Sequence, residues 1–285
     1  HQADAHYYMA RCIHQEENLE EALLHYNSVI DKVNNNHYEN ALKYAGNISY
    51  FLSDYHQAIG HYSTLERVAA SEENIRTSVI GQMRGFWNLN NYQSAIAYSN
   101  KTLVLSNLDE ALEIEASLIN GLSLKETDRL DEAYEILIAL SENTKSIKGA
   151  EAKYNAAEIL FEQEKNDECE ITIMELVKQK PSYGYWIARA IILLGDNFIV
   201  KEDYFNAKSS LQSVVDNYDG KDQAEIVALA QSKIDYILDL ESQSEKSIEK
   251  EDVEIDFEGL DEKDKKLFED ELEAEKEKQN KEPNN

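Results

Sequence analysis

Small, aromatic and aliphatic residues recur along this chain at the spacing of amphipathic helices. In the stretch GDNFIVKEDYFNAKSSLQSVVDNY, at 195–218, Gly195 is followed by Tyr204, Ala207, Leu211 and Val214, with mostly polar residues around the last four. Residues three, four and seven positions apart lie on one face of an α-helix. The stretch therefore predicts a helical hairpin whose helices meet at the two small residues.

The same arrangement occurs six times in the chain. A small residue is followed nine residues later by an aromatic or aliphatic residue, and three further on by a second small residue, at 22, 58, 95, 133, 169 and 207. Six copies in phase indicate stacked helical units, because one hairpin cannot bury its apolar face alone. The small residues are expected to allow close backbone approach, and looser packing is predicted where Met83 and Asn166 break the pattern.

Two further segments follow the repeats. Residues 221–243 predict one capping helix, because apolar residues recur there at helical spacing, namely Ile226, Val227, Ala230, Ile234, Ile237 and Leu238. Residues 241–285 hold 18 acidic and 8 basic side chains, which indicates a disordered tail. The predicted organisation is six repeats over 1–220, the capping helix over 221–243 and the acidic tail over 244–285. The tail either solvates the protein or contains a linear motif that docks on a partner or in the repeats.

The small–aromatic–small spacing, with Pro181 twelve residues after Cys169, resembles the tetratricopeptide repeat (TPR) family, whose unit is about 34 residues long. The resemblance implies an all-α fold, a right-handed superhelical solenoid of helix-turn-helix repeats. The sixth unit is also similar to the end of large TPR proteins of bacterial cell envelopes. This implies a location in the periplasm or at the outer membrane, with the cytoplasm as the alternative.

In the TPR family the first helix of each unit lines a concave, partner-binding face. Carried over to this chain, the family's contact positions give the following candidate partner-binding residues: Tyr7, Arg11, His14, Lys43, Asn47, Tyr50, Arg84, Trp87, Tyr154, Glu158, Phe161 and Arg189. Arginine and aromatic residues are enriched at interface hot spots. The alternative interpretation is that the tyrosines pack between repeats.

The carboxylate clamp with which some TPR domains hold the carboxyl terminus of chaperones can be tested against these positions. Lys43 and Asn47 match the first two clamp residues. Gly81 stands where the clamp needs asparagine, and Glu115 and Ile119 stand where it needs lysine and arginine. One of these mismatches inverts the charge, so the chaperone clamp is rejected.

Charge and the remaining motifs narrow the function classes. The chain has 28 Lys and Arg against 56 Asp and Glu, a net charge of −28, which disfavours nucleic acids and anionic membranes and favours basic partners. No apolar run is long enough to cross a membrane. Cys12 and Cys169 stand far apart, the seven histidines lack ligand spacing, and no phosphate loop, GxSxG or HExxH motif occurs. We therefore predict no catalysis, no cofactor and no metal.

Two functions from different classes fit these features. The first is a non-catalytic scaffold that binds a peptide or a partner helix in the concave face. The second is a structural spacer arm of a bacterial envelope assembly, whose acidic tail or convex face makes the contacts. The chain opens on His1 within a helical pattern, which indicates a piece of a longer protein. A catalytic domain before His1 would make the repeats regulatory.

Overall fold

A computed structural model describes residues 1–33 and 35–248, with side-chain surroundings up to 243. This part of the chain contains thirteen α-helices and no strand. Their bounds are α1 Gln2–Gln15, α2 Leu19–Ile30, α3 Tyr38–Phe51, α4 Tyr55–Val68, α5 Glu72–Asn88, α6 Tyr92–Leu103, α7 Glu110–Lys125, α8 Leu130–Asn143, α9 Ile147–Glu162, α10 Asn166–Lys178, α11 Gly184–Val200, α12 Tyr204–Asn217 and α13 Gln223–Ile248.

The first twelve helices form the six predicted hairpins, which confirms the all-α repeat fold. Each helix packs against the next, and first helices of successive hairpins also meet, as α3 does with α5 and α9 with α11. All six hairpins lie within one compact unit, residues 1–235. None of the helices in the described residues is long and apolar enough to span a membrane.

Close helix approach occurs at the small residues, as predicted. A β-carbon added at Gly46 would lie 2.7 Å from the ring of Tyr62, and one added at Gly195 would lie 2.8 Å from Leu211. Both distances are shorter than ordinary contacts, so a side chain at either position would force Tyr62 or Leu211 to move. Met83, where looser packing was predicted, is fully buried within a hydrophobic cluster, so the core accommodates this larger side chain.

Every hairpin turn contains one residue with left-handed backbone, and none of the six is glycine. These residues are Glu17, Ser53, Asn90, Asp128, Glu164 and Glu202, with φ between 54° and 63°. In each turn the next residue's N–H donates to the carbonyl five residues earlier, as Asp54 does to Ser49 at 2.8 Å. This hydrogen bond satisfies a carbonyl at the end of the first helix.

The helix α13 lies where the capping helix was predicted and continues to Ile248. Its buried residues are Ile226, Ala230, Ile234 and Ile237. The prediction for Leu238 is wrong, because the buried stripe steps from Ile234 to Ile237 and leaves Leu238 50% exposed. The predicted tail overlaps α13 over residues 244–248, and its remaining part lies outside the described residues.

Candidate functional site

Two adjoining pockets lie along the first helices of the first three hairpins. One, of about 680 Å³, is lined by the end of α1 and by α3; the other, of about 390 Å³, lies between α3, α4 and α5. They share Asn47 and Phe51. We name this surface the N-terminal groove and define it by His14, Tyr44, Asn47, Tyr50, Phe51, Tyr62, Ile80 and Arg84.

Phe51, the last residue of α3, is 74% exposed and is the exposed aromatic of the N-terminal groove. It lines both pockets, so an apolar group in either pocket can contact its ring. A large exposed aromatic beside two cavities is a feature of binding surfaces. Phe51 was not among the residues predicted from the sequence, although it directly follows the candidate Tyr50 on the same helix.

The floor of the smaller pocket is the ring of Tyr62, which α4 inserts between α3 and α5. Tyr62 is 4% exposed, and its ring lies so near Gly46 and Gly81 that a β-carbon at either position would overlap it. Its hydroxyl donates to Asn47 Oδ1 at 2.8 Å. Burial raises the pKa of Tyr62, so the hydroxyl stays protonated and remains a donor at neutral pH.

This hydrogen bond leaves the other half of the Asn47 side chain available. Asn47 is exposed, and its Nδ2 makes no hydrogen bond to any described residue. An amide nitrogen carries two N–H donors. Asn47 therefore presents fixed donors to whatever occupies the two pockets.

Two of the basic candidate residues, Arg84 and Lys43, are paired with carboxylates of the protein itself. Arg84 forms a bidentate pair with Glu115, since Nε and Nη2 each lie 2.7 Å from a carboxylate oxygen. Burial raises the pKa of Glu115, but the hydrogen bonds and charge of Arg84 outweigh it, so the pKa lies below its ordinary value. Lys43 pairs with Glu73 at 3.0 Å. Both cations therefore already have a counter-charge within the protein.

The other candidates of the first three hairpins have supporting positions. Tyr7 is 6% exposed and packs in the core against Tyr26. Arg11 lies over the ring of Tyr44, 5.3 Å from its centre, and Trp87 is half-buried. These side chains hold the groove helices together, with Tyr7 entirely behind the surface.

The candidates of the fifth and sixth hairpins form a separate packed cluster. Tyr154 is 5% exposed and donates to Glu158 at 2.9 Å, while Arg189 donates to the Tyr154 hydroxyl at 2.9 Å. Glu158 also pairs with Lys125, and Phe161 packs against the core. Of the twelve candidates, the structure brings His14, Asn47, Tyr50 and Arg84 together in the N-terminal groove.

The described residues show no group of three or more His, Cys, Asp or Glu side chains placed to hold a metal ion. Both cysteines are free, Cys12 exposed and Cys169 buried. Burial raises the pKa of the Cys169 thiol to about 12, so the reactive thiolate is scarce at neutral pH.

Comparison with known proteins identifies the fold. No family model and no curated protein matches this chain. Among solved structures, it is similar to YrrB, described as a TPR protein with an unusual peptide-binding site: 18% identity, TM-score 0.50, covering 73% of this chain and 90% of YrrB. It is also similar to the apo form of RapI, with 12% identity and a TM-score of 0.51, covering 86% of this chain and all of RapI.

Proposed function

We propose that this chain, which has the tetratricopeptide-repeat fold, is a non-catalytic protein-interaction scaffold that holds an extended peptide segment in its N-terminal groove. The observation that carries the proposal is that two pockets adjoin and share Asn47 and Phe51. An extended segment presents side chains to successive pockets while its main chain offers carbonyl acceptors. The amide of Asn47 supplies a donor between the pockets.

The groove's chemistry specifies what the peptide must carry. Phe51 and Ile80 favour an apolar or aromatic side chain in the pockets. The pairing of Arg84 with Glu115 removes the need for an acidic ligand, because the guanidinium already has its counter-charge. YrrB is a similar fold described with a peptide-binding site, which supports peptide binding by this architecture.

A display selection tests the proposal without knowledge of the natural partner. A random peptide library is selected against the wild-type chain, and the enriched peptide is measured against Phe51→Asp and Phe205→Asp. Phe205 is the matched control, because it is 79% exposed and lies at the start of α12. We expect Phe51→Asp to lower affinity about tenfold or more and Phe205→Asp to leave it unchanged. Equal affinity of wild type and Phe51→Asp would contradict the proposal.

The spacer-arm alternative predicts a different outcome of the same experiment. If contacts come from the tail or from the second helices, Phe51→Asp leaves partner binding intact. The bacterial envelope location stays a prediction of the sequence, with the cytoplasm as the alternative.

A further inference from the structure

A third cavity, of about 470 Å³, lies between the end of α6, α7 and α8, and shares no residue with the N-terminal groove. Three glutamates stand among its lining residues, Glu110 and Glu113 on α7 and Glu135 on α8. Ile114 and Ile136 contribute apolar surface beside them. We call this the acidic cavity.

The three carboxylates lack counter-charges. Each is exposed, and none forms an ion pair or hydrogen bond with another residue of the part of the chain that the structure describes. Some glutamates elsewhere in the repeats do have a counter-charge, since Glu115 pairs with Arg84 and Glu66 with Lys101. No lysine or arginine lines the acidic cavity. Its negative charge is therefore left for an external cation.

A buried amide supplies the second and independent observation. Asn120, which lines the same cavity seven residues after Glu113, is 3% exposed. Its Nδ2 donates to Asn100 at 2.9 Å, but its Oδ1 accepts no hydrogen bond from any described residue. Buried acceptors are nearly always satisfied in proteins, so an unpartnered one indicates a missing donor.

We propose that the acidic cavity binds an arginine side chain of a partner protein. The guanidinium offers five N–H donors in a planar fork, so one group can face two carboxylates and also donate to Asn120 Oδ1 once that side chain, which is buried in the free chain, turns toward the cavity. The aliphatic stem of arginine packs on Ile114 and Ile136, since long basic side chains bury their methylene groups along apolar surface. This site is separate from the N-terminal groove. It favours a basic partner, as does the net charge of −28 on the chain.

The proposal is tested with butylguanidinium as the probe and butylurea as its neutral analogue of nearly equal shape. Each is titrated into the ¹⁵N-labelled full chain, and the amide shifts of Ser117, Asn120 and Ala139 are followed by NMR. We expect saturable shifts at these cavity residues with butylguanidinium, and binding at least about fivefold weaker with butylurea, since charged hydrogen bonds are about twice as strong as neutral ones. Equal binding of the two probes, or shifts spread without saturation over acidic surface elsewhere, would overturn the proposal.

Two variants separate the site from general electrostatics. Glu113→Gln/Glu135→Gln should weaken butylguanidinium about five- to tenfold, whereas Glu126→Gln/Glu142→Gln removes the same charge outside the cavity and should change binding less than twofold. Equal loss in both pairs would refute a defined site.

The acceptor is tested separately with Asn120→Leu. This variant keeps the branched shape of the side chain and should weaken butylguanidinium binding. The melting temperature should change little, because removal of the buried unpaired oxygen offsets the loss of the Nδ2 hydrogen bond to Asn100. Unchanged affinity in Asn120→Leu would contradict the role of Oδ1. Phe51→Asp should leave butylguanidinium binding intact, so failure of the groove proposal and failure of this one are distinguishable.

Discussion

Replacing Gly81 by alanine tests the packing that forms the floor of the N-terminal groove. The new β-carbon would lie 2.4 Å from Tyr62 Cε2 and 2.5 Å from its Cζ. Tyr62 is 4% exposed, and on the side of α3 its ring would lie 2.7 Å from a β-carbon at Gly46. The ring is therefore confined between α3 and α5, and either it must shift toward the pocket or the two helices must separate.

The expected magnitude combines three effects. Overpacking a buried site costs about 1–3 kcal/mol. Alanine in place of glycine inside a helix returns about 1 kcal/mol. Displacement of the Tyr62 ring breaks its hydrogen bond to Asn47, at about 1 kcal/mol. Gly81→Ala should thus lower the free energy of unfolding by about 1–3 kcal/mol.

Gly60 provides the matched control on the neighbouring helix α4. A β-carbon at Gly60 meets no atom within 4 Å, so Gly60→Ala should raise stability by about 0.5–1 kcal/mol. Urea unfolding followed by far-ultraviolet circular dichroism measures both variants. The reasoning would be refuted if Gly81→Ala proved as stable as Gly60→Ala, since this would mean that the two helices yield without cost.

Three other predictions concern the turns, the inter-repeat ion pair and pH. Glu202→Gly should stabilise the protein by about 0.5–1 kcal/mol in urea unfolding, because its φ of 58° is unfavourable for a residue with a β-carbon, and destabilisation would contradict this. Arg84→Ala should lower the free energy of unfolding by about 1 kcal/mol at pH 7. A larger loss is not expected, because Arg84 is 40% exposed and solvent screens its pairing with Glu115. Because the pKa of Glu115 is lowered in the folded protein, the stability difference between wild type and Arg84→Ala should persist above about pH 4.3 and vanish as pH falls through the folded-state pKa of Glu115. A stability difference that stayed constant over this pH range would contradict the prediction. Burial lowers the pKa of His61, so the urea midpoint should fall as pH drops below about 6.5, and His61→Leu should flatten that decline.

The repeat architecture was predictable because its signal is local. Gly195 and Ala207 lie in one hairpin, and the spacing between them is set by the two helices and the short turn that joins them. Close contact at Gly46 and Gly195 follows from the same rule. The turn residues were harder to predict, because Glu202 and Ser53 adopt a left-handed backbone conformation that is unfavourable for residues with a β-carbon.

The site was only partly predictable, because its charges pair between repeats. Arg84 meets Glu115 from the next hairpin, 31 residues away, and Lys43 meets Glu73 in the same way. The residue pattern within one helix does not predict how successive hairpins are oriented, and this orientation decides which side chains meet. Burial of Tyr154 likewise depends on α11 packing over α9, while the exposure of Phe51 depends on its place at the end of α3.

Site-specific photo-crosslinking tests the central claim most directly. The photoreactive amino acid p-benzoylphenylalanine replaces Phe51 in one variant and Phe205 in another, and each is irradiated with the peptide selected against the wild-type chain. The account predicts a crosslink from position 51 and none from position 205, because Phe51, unlike Phe205, lines the two groove pockets. A crosslink from position 205, with none from position 51, would contradict binding in the N-terminal groove.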